Sequence, residues 1–169
     1  MSAQAPLFLD PFKAADREAR FDGELPLVKF TRLLEMGENP GGVVKLTLGF
    51  RRDPLLAHCV EGTVSTEIEV VCQRCLEPFR LPLMARFLLK PVRTEAEAVA
   101  LDEGIDPVVL DVDERLDVVR MLEDELLLAA PWIPKHPDES LCSWRGWREA
   151  EPSPEREHPF AALAGLKKH

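Results

Sequence analysis

No stretch of this 169-residue sequence is long and apolar enough to cross a membrane. The longest apolar run, Leu126–Pro134, falls far short of the ~20 residues a span needs. The opening residues, Met-Ser-Ala-Gln-Ala-Pro-Leu-Phe-Leu-Asp, hold no basic cluster and no long apolar stretch, so no secretory signal is expected. Cysteine is scarce: four residues, unevenly spaced, exclude a secreted scaffold held by disulfides and make the cytoplasm the expected location. Glycine is outnumbered by proline, nine to fifteen, which points to loops and strand ends rather than a helical bundle. Signatures of catalysis are missing as well. There is no G-x-S-x-G, no H-E-x-x-H, no P-loop and no G-x-G-x-x-G, and His58, His136, His158 and His169 stand beside no nucleophile motif. No enzyme is expected. Glu123-Asp124-Glu125 is the one run of carboxylates that resembles a magnesium site. Successive helical residues diverge by about 100°, so the three are read as a solvated helix face.

What is present is charge of two signs in two places. The net charge of −9 argues, as an average, against a nucleic-acid binder. Resolved by segment it says something else. Thr94–Glu125 holds twelve acids against Arg115 and Arg120, a balance of −10, and the remainder of the chain sums to +1. Just upstream, Val70–Arg93 holds Arg74, Arg80, Arg86, Lys90 and Arg93 against Glu77 alone, a balance of +4.

The hydrophobic patterning predicts an α+β fold: an antiparallel β-sheet or partly open barrel, one principal helix in the C-terminal half, and short flanking helices. Short helices are expected over Lys13–Ala19 and Lys29–Met36, with Arg20–Leu27 extended between them. Asn39-Pro-Gly-Gly42 is a turn. Strands are expected over Val43–Phe50, Leu55–Glu61, Thr63–Cys72 and Phe79–Lys90, each with apolar residues at alternate positions. Pro82 marks an edge strand or a bulge, because it has no N–H to donate. Thr94–Gly104 reads as an exposed loop and Asp106–Asp111 as a short strand. A helix is expected from Glu114 to Ala130, capped by Asp113, stopped by Pro131 and lined by Leu116, Val119, Leu122, Leu126 and Ala129. Residues 1–148 are taken as a single domain. Residues 149–169 form a charged, Pro-rich linker over Glu149–Pro159 and then a small apolar motif, Phe160–Leu166.

Two constellations carry chemistry. Cys72 and Cys75 form a C-x-x-C in a tight loop between two predicted strands, half of a tetrahedral zinc site. His136 and Cys142, in a Pro-flanked segment, are the residue types that complete it as a structural zinc. The competing readings are a Cys72 packed on the apolar face of its strand and a redox pair. Cys59 is read as a small buried residue. Arg74, Arg80, Arg86, Lys90 and Arg93 form the second constellation: three lie on one face of a predicted strand, spaced for phosphate contacts. The alternative is an ordinary solvated strand face. Trp132 is expected in the core. Trp144 and Trp147 either stack on bases or cap a core edge.

Four segments in order then resemble a known family. They are Leu9-Asp10-Pro11 with Gly23 beyond it, and Glu69-Val-Val-Cys-Gln-Arg-Cys75 with Pro78-Phe79 and Pro91-Val92-Arg93. The third is Val119–Pro131 with Pro134, His136 and Cys142, and the last is His158-Pro-Phe-Ala-Ala-Leu-Ala-Gly-Leu-Lys167. Together they are similar to the YceD family of large ribosomal RNA subunit accumulation proteins. The resemblance covers essentially the whole chain. It implies a cytoplasmic, non-enzymatic role in accumulation or processing of 23S ribosomal RNA, hence large-subunit assembly. The expected partner is ribosomal RNA or a large-subunit precursor, met by Arg74, Arg80, Arg86, Lys90 and Arg93. The alternative partner is a basic ribosomal protein, met by the acidic segment, chiefly Asp102, Glu103 and Asp106. No membrane partner is expected.

Overall fold

The structure is a computed structural model and describes residues 6–39, 41–54 and 57–142. Trp144, Trp147, His158, His169, the Glu149–Pro159 linker and the Phe160–Leu166 motif lie outside the described residues, as do Leu55 and Leu56 at the predicted start of a strand.

Alternation of apolar and polar residues builds the centre of the fold. β3 (Val43–Asp53), β4 (Ala57–Val71) and β5 (Pro78–Val92) form an antiparallel meander, with β2 (Arg20–Pro26) added on the far side of β3. Where two strands were expected between residues 55 and 72 there is one continuous β4, about 50 Å long at ~3.3 Å per residue. β6 (Asp106–Val109) completes the order β2-β3-β4-β5-β6 and runs parallel to the end of β5. The sheet is open rather than a closed barrel. A parallel neighbour needs a crossover, and residues 93–105 supply it. They carry a short exposed helix, α2 (Glu95–Val99), where an irregular loop was expected. Thr94 caps it by accepting from the Glu97 N–H at 3.1 Å. Pro82 sits where β5 has only β4 beside it, opposite Glu67, as a residue with no N–H requires.

One face of the sheet is buried. Val44, Leu46, Leu48 and Phe50 of β3, Val60, Val64, Ile68 and Val70 of β4 and Leu83, Phe87 and Leu89 of β5 point into it. Gly62 lies opposite Phe87 in the register. A Cβ at Gly62 would lie 3.0 Å from the Phe87 ring and on top of the Thr47 carbonyl oxygen, so only glycine lets β3 and β4 pair there. The core is closed by α3 (Val118–Ala129) through Val118, Met121, Leu122 and Leu126, and by Leu25, Leu27, Phe30 and Leu33 of the N-terminal segment.

Several boundaries differ from those expected. α1 covers Pro11–Asp16 rather than Lys13–Ala19, because Asp10 caps it and Pro11 takes the first position. The expected helix over Lys29–Met36 is two 3₁₀ turns, Leu27–Lys29 and Leu33–Glu35. The principal helix starts at Val118, not Glu114. Leu116–Asp117 form β7 and pair with β1 (Phe8–Leu9), Glu114 takes a left-handed φ of 58°, and Asp117 is the cap. Leu116 is buried, but from a strand rather than a helix, and Ala129 is exposed. Glu123 is buried rather than solvated. Trp132 is fully exposed rather than in the core, because the chain after Pro131 leaves the core for the β4–β5 loop. Cys59 is fully buried, as expected.

Candidate functional site

The loop joining β4 to β5 is the first part of the site. Cys72, the residue after β4, is fully buried. Its N–H donates to the Glu77 carbonyl and its carbonyl accepts from the Leu76 N–H, both at 2.9 Å, which closes a knuckle around Cys75. Leu76 takes a left-handed φ of 62° to do so, an unusual conformation for a residue with a side chain. The Gln73 N–H donates to the Pro134 carbonyl at 2.8 Å and brings the segment after α3 alongside.

That contact completes a four-ligand cluster. Cys72, Cys75, His136 and Cys142 place their ligand atoms within 4.8 Å of one another. Cys75 Sγ and Cys142 Sγ each stand 3.5 Å from His136 Nδ1, and Cys72 Sγ stands 4.0 Å from Cys142 Sγ. A tetrahedral zinc with bonds of about 2.3 Å to sulfur and 2.0–2.1 Å to nitrogen sets ligand separations of about 3.8 Å and 3.5 Å. The residues therefore fit zinc in type, number and spacing. All four corners are protein atoms, the composition of a structural rather than a catalytic site.

The surroundings hold the ligands in place. The His136 ring lies on Phe79, with centroids 4.7 Å apart. Arg74 donates from Nε to Cys142 Sγ at 3.2 Å and from its guanidinium to the His136 carbonyl at 3.1 Å, and it pairs with Glu139. Three thiolates and a divalent ion would leave one negative charge, which the Arg74 guanidinium faces from Cys142 while also pairing with Glu139. Burial alone would push the Cys72 thiol up. Hydrogen bonds from the backbone N–H groups of His136, Cys75 and Arg74 outweigh it and bring the pKa down to about 5. Burial and the neighbouring Cys72 and Cys142 push the Cys75 thiol up.

The basic residues divide into three situations. Arg74 is engaged in the knuckle. Arg80, Arg86 and Lys90 lie on the outward face of β5, with Met84 and Leu88 between them. Arg80 pairs with Glu67 at 3.1 Å and stands opposite Glu69. Arg86 stands opposite Thr63, and among the described residues neither Arg86 nor Lys90 makes an ion pair. Arg93 lies 4.2 Å over the Phe12 ring and pairs with Glu114 at 3.1 Å.

The acidic residues Asp102, Glu103 and Asp106 are all exposed, between α2 and the start of β6. Burial first, and then the charges of Asp106 and Asp124, push the Glu125 carboxyl up. Asp124 also pairs with Arg32 at 2.7 Å. Sequence reasoning missed Glu123, only 4% exposed, which accepts from the backbone N–H groups of Arg32 and Leu33. It also missed Phe12 and His58, whose rings meet edge-on at 5.2 Å beside Arg93.

Residues 60–167 match the family described as large ribosomal RNA subunit accumulation protein YceD. The chain is 32% identical over 167 residues to the protein of that name from Haemophilus influenzae, across 96% of this chain and 95% of that one. No solved structure matches the chain. Among the described residues no helix is long and apolar enough to cross a membrane.

Proposed function

The chain belongs to the YceD family, and on that footing we propose that it is a cytoplasmic, non-enzymatic factor supporting 23S ribosomal RNA accumulation and processing during large-subunit assembly. It acts by binding. The observation that carries this reading is the outward face of β5, where Arg86 and Lys90 stand without acidic partners among the described residues. Two such cations four residues apart on a rigid strand, about 13 Å at ~3.3 Å per residue, are placed to meet phosphates along one backbone. The knuckle holds one structural zinc through Cys72, Cys75, His136 and Cys142. It fixes the β4–β5 loop to the segment after α3, with the Arg74 guanidinium facing its charge.

The test is association of the full chain with large-subunit ribosomal RNA across a salt titration. Replacing Arg80, Arg86 and Lys90 with Ala should weaken binding and flatten the salt slope by ~0.7 for each single-strand phosphate no longer neutralised. Identical titrations for the variant and the parent protein would remove the claim.

A second reading rests on the acids Asp106, Asp124 and Glu125, the first two of which act electrostatically on the third. Together with Asp102 and Glu103 they form a surface for a basic ribosomal protein. Like charges held close favour any cation brought between them. Pull-down from cells with and without nuclease separates the two: partners that survive nuclease support the protein–protein reading.

A further inference from the structure

A cleft of about 420 Å³ opens at the end of the sheet, between α1, the start of β4, the end of β5 and α2. Its volume falls within the ~300–1,000 Å³ of small-ligand sites. Lys90 and Arg93 line it together with the His58 imidazole, while Phe12, Val92 and Leu101 supply its apolar surface. One acid lines it, Glu97, whose carboxylate already accepts from the Arg93 N–H at 2.8 Å.

The arrangement of Arg93 tells which ligand chemistry fits. Its guanidinium is held 4.2 Å over the Phe12 ring, and Glu114 takes its Nε at 3.1 Å. The His58 ring meets the edge of Phe12 at 5.2 Å and is itself held by Asp16 at 3.3 Å. A planar cation backed by an aromatic ring is a platform on which a nucleobase stacks. Lys90 stands three residues away on the same wall and forms no ion pair among the described residues. A carboxylate ligand would use the charges and leave the platform idle. A nucleotide uses both.

We propose that this cleft seats one unpaired nucleotide of single-stranded RNA, its base against Arg93 and its phosphate on Lys90. The inference rests on the RNA-binding reading above and adds the form of RNA and the place. Bases inside a duplex are stacked on their neighbours and cannot enter. The site therefore selects single strands, loops or ends.

The experiment is fluorescence anisotropy with a short labelled single-stranded RNA and with its duplex, using the full chain. Ala100→Trp narrows the cleft from an exposed position on its wall without removing a charge. It should weaken single-strand binding at least ~10-fold at fixed salt and leave duplex binding unchanged. Lys90→Glu should weaken single-strand binding by a similar factor, which guards against a folding defect peculiar to the tryptophan. Adenosine 5′-monophosphate should displace the labelled strand, and inorganic phosphate at the same concentration should not. Equal displacement by both would mean the cleft reads phosphate alone and would overturn the base-stacking assignment. Full single-strand binding by both cleft variants, with reduced binding in Arg86→Ala, would overturn the cleft while leaving the RNA-binding reading intact. No RNA binding by the unmodified chain at any salt would overturn both.

Discussion

Glu123 accepts the backbone N–H of Arg32 at 2.7 Å with one oxygen and the Nε of the same residue at 2.8 Å with the other. The first oxygen also takes the Leu33 N–H at 3.1 Å. A single buried carboxylate thus satisfies two backbone donors and one guanidinium, and it locks the N-terminal segment to α3. Glu123→Ala leaves those donors without their partner and should lower unfolding free energy by about 2–5 kcal/mol. Glu123→Gln keeps an acceptor oxygen and should be clearly less destabilised. Urea denaturation of the two variants checks the order; equal destabilisation would mean packing rather than hydrogen bonding is at stake.

Purified protein should carry about one zinc per chain by elemental analysis. Cys72→Ser, Cys75→Ser, His136→Ala and Cys142→Ser should each reduce it. A strong chelator should lower the melting temperature of the parent protein but not of Cys72→Ser, since metal binding and folding are linked. Metal content that stays low after growth with added zinc would sink the assignment.

In the metal-free protein the thiols should titrate apart. Cys72 has its pKa lowered from 9.0 to about 5, so its thiolate contributes stability above pH 9 that is lost as pH falls through about 5. Cys75, shifted upward, behaves oppositely: its contribution is full below pH 9 and is lost as pH rises through its raised value. Thiolate absorbance in the ultraviolet, followed against pH, should show one step near 5. Its absence from Cys72→Ser identifies the residue, and a single step near 9 in the parent protein would contradict the hydrogen-bonded arrangement.

Gly62→Ala places a methyl on top of the Thr47 carbonyl oxygen and against the Phe87 ring, so β3 and β4 must separate whether or not Phe87 moves. Stability should drop by about 1–3 kcal/mol. Pairing it with Phe87→Leu should recover none of the drop, because the Thr47 carbonyl is the closer obstacle, and recovery would mean that the ring is. Thermal melts of the single and double variants read this directly.

The sheet was legible in the sequence because alternation is a local signal: Val44, Leu46, Leu48 and Phe50 declare a buried face within eight residues. The four residues of the Cys/His cluster were legible by type, since a C-x-x-C between strands points to further donors and few are present. What escaped depends on distant partners. Glu123 looks solvated until Arg32, 91 positions away, is placed beside it. Asp113 and Asp117 are equally good caps, and the choice falls to Asp117 only because Leu116–Asp117 pair with Phe8–Leu9. Trp132 looks like core until the chain is seen leaving the core for Gln73. α2 did have a signal, Thr94-Glu-Ala-Glu97, a capping-box sequence masked by the acidity around it.

The four-ligand cluster also orders events in time. Cys75 and His136 are 61 positions apart. At about 5–20 residues per second of synthesis, the hairpin thiols emerge several seconds before the imidazole, and Cys142 completes the set after it. Until then the nascent chain presents two cysteines and no finished site. A capture of zinc by all four residues is therefore possible only once β6, β7, α3 and Cys142 have been made, and it reports that the chain has been translated past α3.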